Sequence, residues 1–337
     1  MKNILVTGGM GYIGSHTCVA LCEAGFLPII VDNLDNSEIW IKDRLNQITN
    51  QEIPFYQGDC SDKSLLQRIF EENKIAGIIH FAANKAVGES VQNPMKYYHN
   101  NLNSLLSVLE VSQKNDCNNL VFSSSCTVYG EPDKLPVDES AEIKQAESPY
   151  GSTKIFCERI IQDFVNASNN YKSVLLRYFN PIGAHSSSLI GELPLGVPSN
   201  LVPFITQTAA GLREKLTVFG NTYNTPDGSC IRDFIHVVDL ADAHVKAFEY
   251  LFAQESKICE SVNVGTGKGA SVLELIHSFE SSTGVKLNYE IGERRSGDVE
   301  AVYAAPKKAK TLLNWEAKLS MSDALKDAWN WQKTLSK

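Results

Sequence analysis

The chain contains no C-x-x-C pair, no Cys/His grouping at metal-ligand spacing and no block of like charge, and its eight cysteines are scattered. The first two absences disfavour a zinc site and a disulfide framework. Cys18 and Cys22, one helical turn apart, read as packing thiols. The third argues against a nucleic-acid or anionic-membrane surface, because phosphates need a concentrated Lys/Arg face and the formal charge of −8 is thinly spread. No apolar run approaches the roughly 20 residues that a membrane span requires. Residues 1–7 run straight into a glycine-rich turn, which leaves no room for a signal peptide, and a reducing cytoplasm is the expected compartment. Internal repeats and low-complexity tracts are also missing. What is present is 337 residues with 43% apolar content, enough to bury a core for one sizeable domain and a smaller one.

Short β-branched or apolar runs at 3–7, 27–31, 53–57, 77–81, 119–123 and 172–178 alternate with helix-like segments. Such alternation predicts an α/β fold with a doubly wound parallel sheet, in which ligands bind outside the carboxyl ends of the strands. After Tyr178 a Pro/Gly/Ser-rich stretch over 180–203 suggests a break into a smaller α/β unit. Residues 232–251 read as a strand or turn leading into a long helix, and 261–264 as one more strand. The expected division is therefore 1–180, rejoined by roughly 231–265, for the larger domain, and 181–230 with 266–337 for the smaller.

Thr7-Gly8-Gly9-Met10-Gly11-Tyr12-Ile13-Gly14 follows the first strand and opens a helix, the context that makes a glycine pattern informative. Glycines permit a tight turn and a close backbone approach to a pyrophosphate, whose charge then rests on the positive helix N-terminus. A mere strand-to-helix turn is the rival reading. Asp32 ends the second strand, where its carboxylate can accept both adenosine ribose hydroxyls, and no Lys or Arg appears until Lys42, so NAD is preferred over NADP. Asp59, after the third strand, reads equally as an adenine contact or a turn-forming Asp.

Ser148-Pro149-Tyr150-Gly151-Ser152-Thr153-Lys154 looks like a helix start, with Ser148 as cap, Pro149 in the first turn, and Tyr150 and Lys154 on one face. A tyrosine becomes a base near neutrality only if its pKa of ~10 falls by about three units, which requires ~4 kcal/mol of phenolate stabilisation. An ammonium ~5 Å away supplies ~3 kcal/mol at an effective dielectric of 20, and a cationic nicotinamide would add to it. The spacing alone is weak, since Tyr303 and Lys307 repeat it with Pro306 between them. The run 122–130 leaves another strand, so Ser125 emerges at the ligand edge and can hydrogen-bond a reacting hydroxyl or ketone; serines that simply cap the strand are the alternative.

Together these motifs resemble the extended short-chain dehydrogenase/reductase family, and within it the UDP-glucose 4-epimerase family. The resemblance spans essentially the whole chain and is carried by 6–16, Asp32-Asn33-Leu34, the His80–Ser90 run HFAANKAVGES, 150–154, Leu176-Arg177-Tyr178-Phe179-Asn180-Pro181, Asn200-Leu201, 228–237 and Arg294-Arg295-Ser296-Gly297-Asp298. It implies reversible inversion of C4 in a UDP-sugar through a 4-keto sugar, with tightly held NAD. Tyr150 would take the proton from O4, Lys154 would hold the nicotinamide ribose and tune Tyr150, and Ser125 would steady O4. It further implies cofactor contacts at Gly8, Gly11, Tyr12, Ile13, Gly14, Asp32, Asn33, Asn36, Ser37, Asp59, Cys60, Phe81, Ala82, Ala83, Lys85, Asn100 and Tyr178. Asn180, Asn200, Leu201, Thr217, Phe219, Arg232 and Arg295 match positions that contact nucleotide or sugar, the guanidinium forks suiting phosphate oxygens, and Asp298 could hold an arginine in place. A homodimer built on the helices at 95–114 and 150–167 is implied in the same way; no metal is.

Three positions depart from the family pattern. Cys126 follows Ser125 where relatives carry Ala, and Ala83 stands where they carry Gly. The position resembling a sugar-pocket gate, bulky in enzymes restricted to hexoses, is Val302, which suggests a pocket wide enough for N-acetylhexosamines; Tyr303 is adjacent and a one-residue slip would reverse this. A 4,6-dehydratase would need a carboxylic acid beyond Ser125, where Cys126 and Thr127 stand. UDP-pentose or UDP-uronate 4-epimerases share the chemistry at C4 and stay open. A non-catalytic NAD-sensing protein could dispense with Tyr150 and Lys154, both of which are kept.

Overall fold

The computed structural model describes residues 1–295 and 298–335. Along the chain run β1 (Lys2–Thr7), α1 (Tyr12–Glu23), β2 (Phe26–Asp32), α2 (Ile41–Thr49), β3 (Phe55–Gln57), α3 (Lys63–Glu72), β4 (Ile75–His80), α4 (Val87–Gln92), α5 (Pro94–Lys114), β5 (Asn119–Ser123), α6 (Pro149–Ala167) and β6 (Lys172–Tyr178). The second half contributes β7 (Asn180–Ile182), α7 (Leu201–Ala209), β8 (Leu216–Phe219), β9 (Ile231–His236), α8 (Val237–Phe252), β10 (Ile258–Val264), β11 (Gly269–Ser271), α9 (Val272–Thr283), β12 (Tyr289–Gly292), β13 (Ala301–Val302), α10 (Lys307–Leu313) and α11 (Met321–Leu335).

Seven strands form one parallel sheet in the order β10-β6-β5-β4-β1-β2-β3. The near-continuous apolar strands explain why both faces are covered: a strand such as Ile4-Leu5-Val6 buries every side chain, and that requires helices above and below. One face packs Ile4, Val6 and Ile30 with residues of α1 and α8; the other packs Leu5, Ile29 and Val31 with residues of α3, α5 and α6. The doubly wound parallel sheet expected from the βα alternation is thus present. Its chain order reverses beside β1, which has β2 on one side and β4 on the other, and the crevice above that point is where ligands enter such sheets.

Strand β9 stands in a smaller sheet with β7, β11 and β13, and β8 pairs with β12. The return to the main sheet, expected from about 231, is accordingly carried by α8 and β10, because β9 spends its hydrogen bonds on the smaller sheet. A separate core of Ile182, Ile205, Phe234, Leu275, Phe279 and Leu325 supports that sheet. No helix among the described residues is long and apolar enough to cross a membrane, and none of their His, Cys, Asp and Glu side chains groups in threes that could hold a metal.

Candidate active site

The glycine turn between β1 and α1 is built for close approach. Gly8 has φ +71°, and a Cβ there would lie 2.9 Å from the Ala82 amide nitrogen. At Gly14 a Cβ would sit 2.2 Å from the Gly8 carbonyl oxygen. The cap position of α1, Gly11, offers no side-chain cap, so the amides of the first turn remain for an anion. Tyr12 donates its hydroxyl to the Gly183 carbonyl at 2.7 Å, tying this turn to the end of β7, and Ile13 packs onto the core beneath. This cradle, which side chains would fill, fits a dinucleotide pyrophosphate.

Asp32 closes β2 and accepts from the amides of Met10 (3.0 Å) and Leu34 (2.9 Å) and from the Ser37 hydroxyl (3.1 Å). Burial raises its pKa while these donors oppose the rise. Asn33 accepts from the Asp35 amide, and Asn36 is exposed on the same turn. Asp59 does make the turn bond, accepting from the Ser61 amide at 2.7 Å, and Cys60 beside it is a buried thiol pushed by burial up to about 12. On the other side of β1, the Phe81 ring lies 4.7 Å from the His244 ring at a tilt of 47° and the Ala82 amide donates to the Thr7 hydroxyl at 3.3 Å, with Ala83 half-buried beyond. Asn100 donates to Asn101. Lys85 makes an ion pair with Glu192 at 3.5 Å.

Ser125, Tyr150, Lys154 and Tyr178 come together at the carboxyl edge of β5 and β6. Ser148 caps α6 by accepting from the Gly151 amide, and Pro149 occupies its first turn, as the sequence predicts. That start point fixes which face carries Tyr150 and Lys154. Ser125 accepts from the Thr127 amide and hydroxyl at 3.2 and 3.0 Å, and its hydroxyl favours the ionised form of the Tyr150 phenol. The Lys154 ammonium donates to the Ser123 carbonyl at 2.6 Å and lies 5.8 Å from the centre of the Tyr150 ring. Tyr178 shares a 2.5 Å hydrogen bond with Ser123.

Burial dominates the electrostatics here. It lowers Lys154 to about 8, with Cys157 and Glu158 opposing, and drives the Tyr150 phenol above its usual range, helped by Tyr178 and opposed by the Ser125 hydroxyl. The protein alone therefore holds Tyr150 protonated. The lowering expected of Lys154 is outweighed by desolvation, and the cation of a bound dinucleotide would have to offset the difference.

The expected nucleotide and sugar contacts lie in the second half of the chain. Asn180 opens β7; Asn200 and Leu201 begin α7, and the Asn200 amide donates to Glu192 at 2.5 Å. Thr217 and Phe219 lie on β8, Phe219 half-exposed with the Arg295 guanidinium 5.7 Å from its ring. Asp298 does hold arginines, with Arg295 at 2.6 Å and Arg232 at 3.7 Å. Ser296 and Gly297, part of the matching stretch, lie outside the described residues. Val302 pairs in register with Arg232 and packs with Val128, Tyr129, Phe179 and Cys126, whereas the Tyr303 ring borders Gly269, where a Cβ would lie 2.9 Å from it. Val302, not Tyr303, thus shares a cluster with the neighbour of Ser125. Two carboxylates were missed in the sequence. Glu158 is one turn beyond Lys154 on α6, a spacing that could have flagged it; Glu192, between Lys85 and Asn200, sits in an irregular stretch with no local signal.

A doubly wound sheet with a glycine cradle, a terminal Asp on β2 and a Ser/Tyr/Lys cluster defines an enzyme of the extended short-chain dehydrogenase/reductase class. Comparison with known proteins narrows this. Residues 5–328 match the profile of the GDP-mannose 4,6 dehydratase family. A UDP-glucose 4-epimerase of Neisseria meningitidis is 49% identical over 333 residues, covering 98% of this chain and 97% of that protein. The crystal structure of a UDP-glucose 4-epimerase from Stenotrophomonas maltophila with bound NAD and formylated UDP-arabinopyranose superposes with a TM-score of 0.97 at 44% identity, over 100% of this chain and 99% of that one. That of a UDP-glucose 4-epimerase from Bifidobacterium longum, in complex with NAD+ and UDP, superposes with a TM-score of 0.95 at 44% identity, over 99% and 98% of the two chains. The chain belongs to the UDP-glucose 4-epimerase family.

Proposed function

We propose that the protein interconverts UDP-glucose and UDP-galactose by reversible inversion at C4, with NAD held in the crevice above β1 and β4. The observation that carries this is the convergence of Ser125, Tyr150 and Lys154 at the strand edge beside the glycine cradle. Gly8, Gly11 and Gly14 would hold the pyrophosphate, Asp32 the adenosine ribose, and Lys154 with Tyr178 the nicotinamide end. When bound, NAD supplies a reversible hydride acceptor for C4. The chain's own residues handle the proton: Tyr150 takes it from O4 and returns it after the 4-keto sugar has turned over, while Ser125 hydrogen-bonds the same oxygen. Burial around Tyr150 excludes water, so the ketone is kept from side reactions. Inversion needs a site that grips UDP and leaves the sugar free to rotate. Arg232 and Arg295, both braced by Asp298, suit the diphosphate, and Asn180, Asn200, Leu201, Thr217 and Phe219 the remainder of the nucleotide.

In this proposal the main sheet with its α8–β10 return is the NAD domain, and the smaller sheets with α7, α9 and α11 form the UDP-sugar domain. Val302 supports acceptance of UDP-N-acetylhexosamines as well. A dehydratase reading lacks support because Cys126 and Thr127 offer no carboxylic acid, and burial pushes the Cys126 thiol up to about 12. A UDP-pentose substrate is the second reading, favoured by the UDP-arabinopyranose derivative bound to the Stenotrophomonas enzyme. Exposed Met95 and Leu106 on α5 and Phe156 on α6 support a homodimer joined through these helices, and eight free cysteines suit a reducing cytoplasm.

Incubation of purified protein with UDP-galactose, without added NAD, is expected to yield UDP-glucose to equilibrium. No conversion even after NAD is supplied overturns the assignment and directs the next assays to pentose and uronate substrates.

A further inference from the structure

Behind the catalytic edge lies a buried polar cluster that the reaction as described leaves unused. Glu158 extends from α6 one turn beyond Lys154 and is 5% exposed. Its carboxylate accepts from the Ser124 hydroxyl at 2.5 Å and from the Arg177 guanidinium at 2.6 and 2.9 Å. Arg177, on β6, also donates to the Tyr129 hydroxyl at 3.0 Å, which in turn donates to Asn263 on β10 at 2.7 Å. The Glu158 carboxylate thus joins α6 to β6 and to the residue that follows β5, and through Arg177 and Tyr129 the cluster extends to β10.

Placing a charged pair here is costly, and a well-packed apolar pair is often as stable or more so. The cluster therefore calls for a reason beyond stability. Ser124 is the residue immediately before Ser125, at the point where the chain leaves β5, so whatever fixes Ser124 fixes the direction in which the next hydroxyl points. Lys154 lies on the same helix face as Glu158, and its ammonium is 5.8 Å from the centre of the Tyr150 ring. We propose that Glu158 is a positioning residue for the epimerase reaction, setting the direction of Ser125 through Ser124 and supplying the counter-charge that keeps Lys154 an ammonium. The proposal rests on the function assigned above.

The charges facing Lys154 support the second half. From α6 these are Tyr150, Cys157 and Glu158; from β4, His80, which burial lowers to about 3; from β5, the Phe122 ring at 4.9 Å and the Ser123 carbonyl. Burial raises the Tyr150 phenol above its ordinary range and the Cys157 thiol to about 12, so Glu158, itself paired with the Arg177 guanidinium of β6, is the one formal negative charge in this set. Cys157 and then Glu158 raise the lysine against its burial, and of the two only Glu158 is charged near neutral pH. Removing that charge lets Lys154 lose its proton at lower pH.

Two substitutions separate the two effects. Ser124→Ala removes the hydroxyl and leaves every charge in place. Glu158→Gln keeps the shape and the acceptor oxygen but removes the charge. Arg177 also borders a cavity of about 530 Å³, where water can solvate it in the second variant. We expect kcat for UDP-galactose to fall about tenfold in S124A and about a hundredfold in E158Q, the cost of a small misplacement of reacting groups. KM, the UDP dissociation constant and the NAD content should stay at wild-type values. The alkaline limb of the kcat profile should keep its position in S124A and move to lower pH in E158Q. Wild-type kcat and an unmoved limb in folded variants overturn the proposal; so does a tenfold loss of UDP affinity with kcat unchanged, which marks a merely structural role. Should E158Q fail to fold, S124A decides, and an unchanged kcat there overturns the positioning of Ser125. Wild-type protein in the same assay separates the two claims, because an inactive wild type overturns the function and this proposal together, and an active one beside unaltered variants overturns this proposal alone.

Discussion

Substituting Gly14 by alanine would test whether the cradle above β1 holds the cofactor. Gly14 lies in the first turn of α1, where an added Cβ would stand 2.2 Å from the Gly8 carbonyl oxygen and 2.8 Å from the Gly9 Cα. Ordinary contact begins at 3.4 Å, so the nearer pair is short by about 1.2 Å. Both neighbours are backbone, and neither can swing aside as a side chain would. Either α1 or the glycine turn must therefore shift by roughly 1 Å, a displacement that costs ~1–3 kcal/mol as overpacking. The amides that would meet the pyrophosphate belong to these same two segments, and a misplacement of that size costs about 10²-fold in function. Gly88→Ala is the control. Gly88 lies in α4, and an added methyl there would find nothing within 4 Å, so alanine is expected to be neutral or to add up to ~1 kcal/mol through helix propensity. Nucleotide content after purification, the melting temperature and the kcat with and without added NAD would be measured for both. The expected result is a Gly14→Ala protein with a lowered melting temperature, little retained NAD and activity partly restored by excess NAD. A Gly14→Ala protein carrying a full complement of NAD with wild-type kcat would refute the reasoning.

Tyr150→Phe should lower kcat by about 10²–10⁴-fold while NAD retention and melting temperature stay close to wild type, because the change removes one hydroxyl at the proposed proton-transfer position; wild-type turnover would show that another group moves the proton. Lys154 titrates at about 8 in the fold, so kcat should decline as pH rises through that value. Its folded pKa lies below the ordinary lysine value, so in that interval the unfolded chain binds more protons and this group adds stability as pH rises from about 8 upward; denaturant titrations of wild type and Lys154→Met across the interval read the difference. Val302→Tyr puts a ring into the buried cluster of Val128, Tyr129 and Phe179, and the ring is expected to turn out toward the proposed sugar pocket. Turnover of UDP-N-acetylgalactosamine is expected to fall at least tenfold with UDP-galactose little changed, on the order of the discrimination that pocket shape provides, and equal losses on both substrates would count against a gate at this position.

Local chemistry made much of the protein legible in its sequence. Strand positions follow from β-branched runs, the start of α6 from Ser148 and Pro149, and the anion cradle from glycines whose missing side chains are a backbone requirement. The Tyr150–Lys154 pairing follows likewise from helical spacing. Each of these is settled within a few residues of chain, by steric and hydrogen-bonding rules that act before the fold is complete.

Other features depend on which distant segments are pressed together. That β9 belongs to the smaller sheet is decided by its pairing with β7, β11 and β13, since its own apolar pattern suits either sheet. The choice between Val302 and Tyr303 turns on strand register, where a slip of one residue exchanges the two faces. Glu158, Arg177, Tyr129 and Asn263 are separated by up to 134 positions and meet only because α6, β6 and β10 are neighbours. The balance of charge at Tyr150 and Lys154 belongs to the same class. The sequence shows an ammonium at helical spacing from a phenol; the desolvation that drives both toward neutrality is a property of everything packed around them.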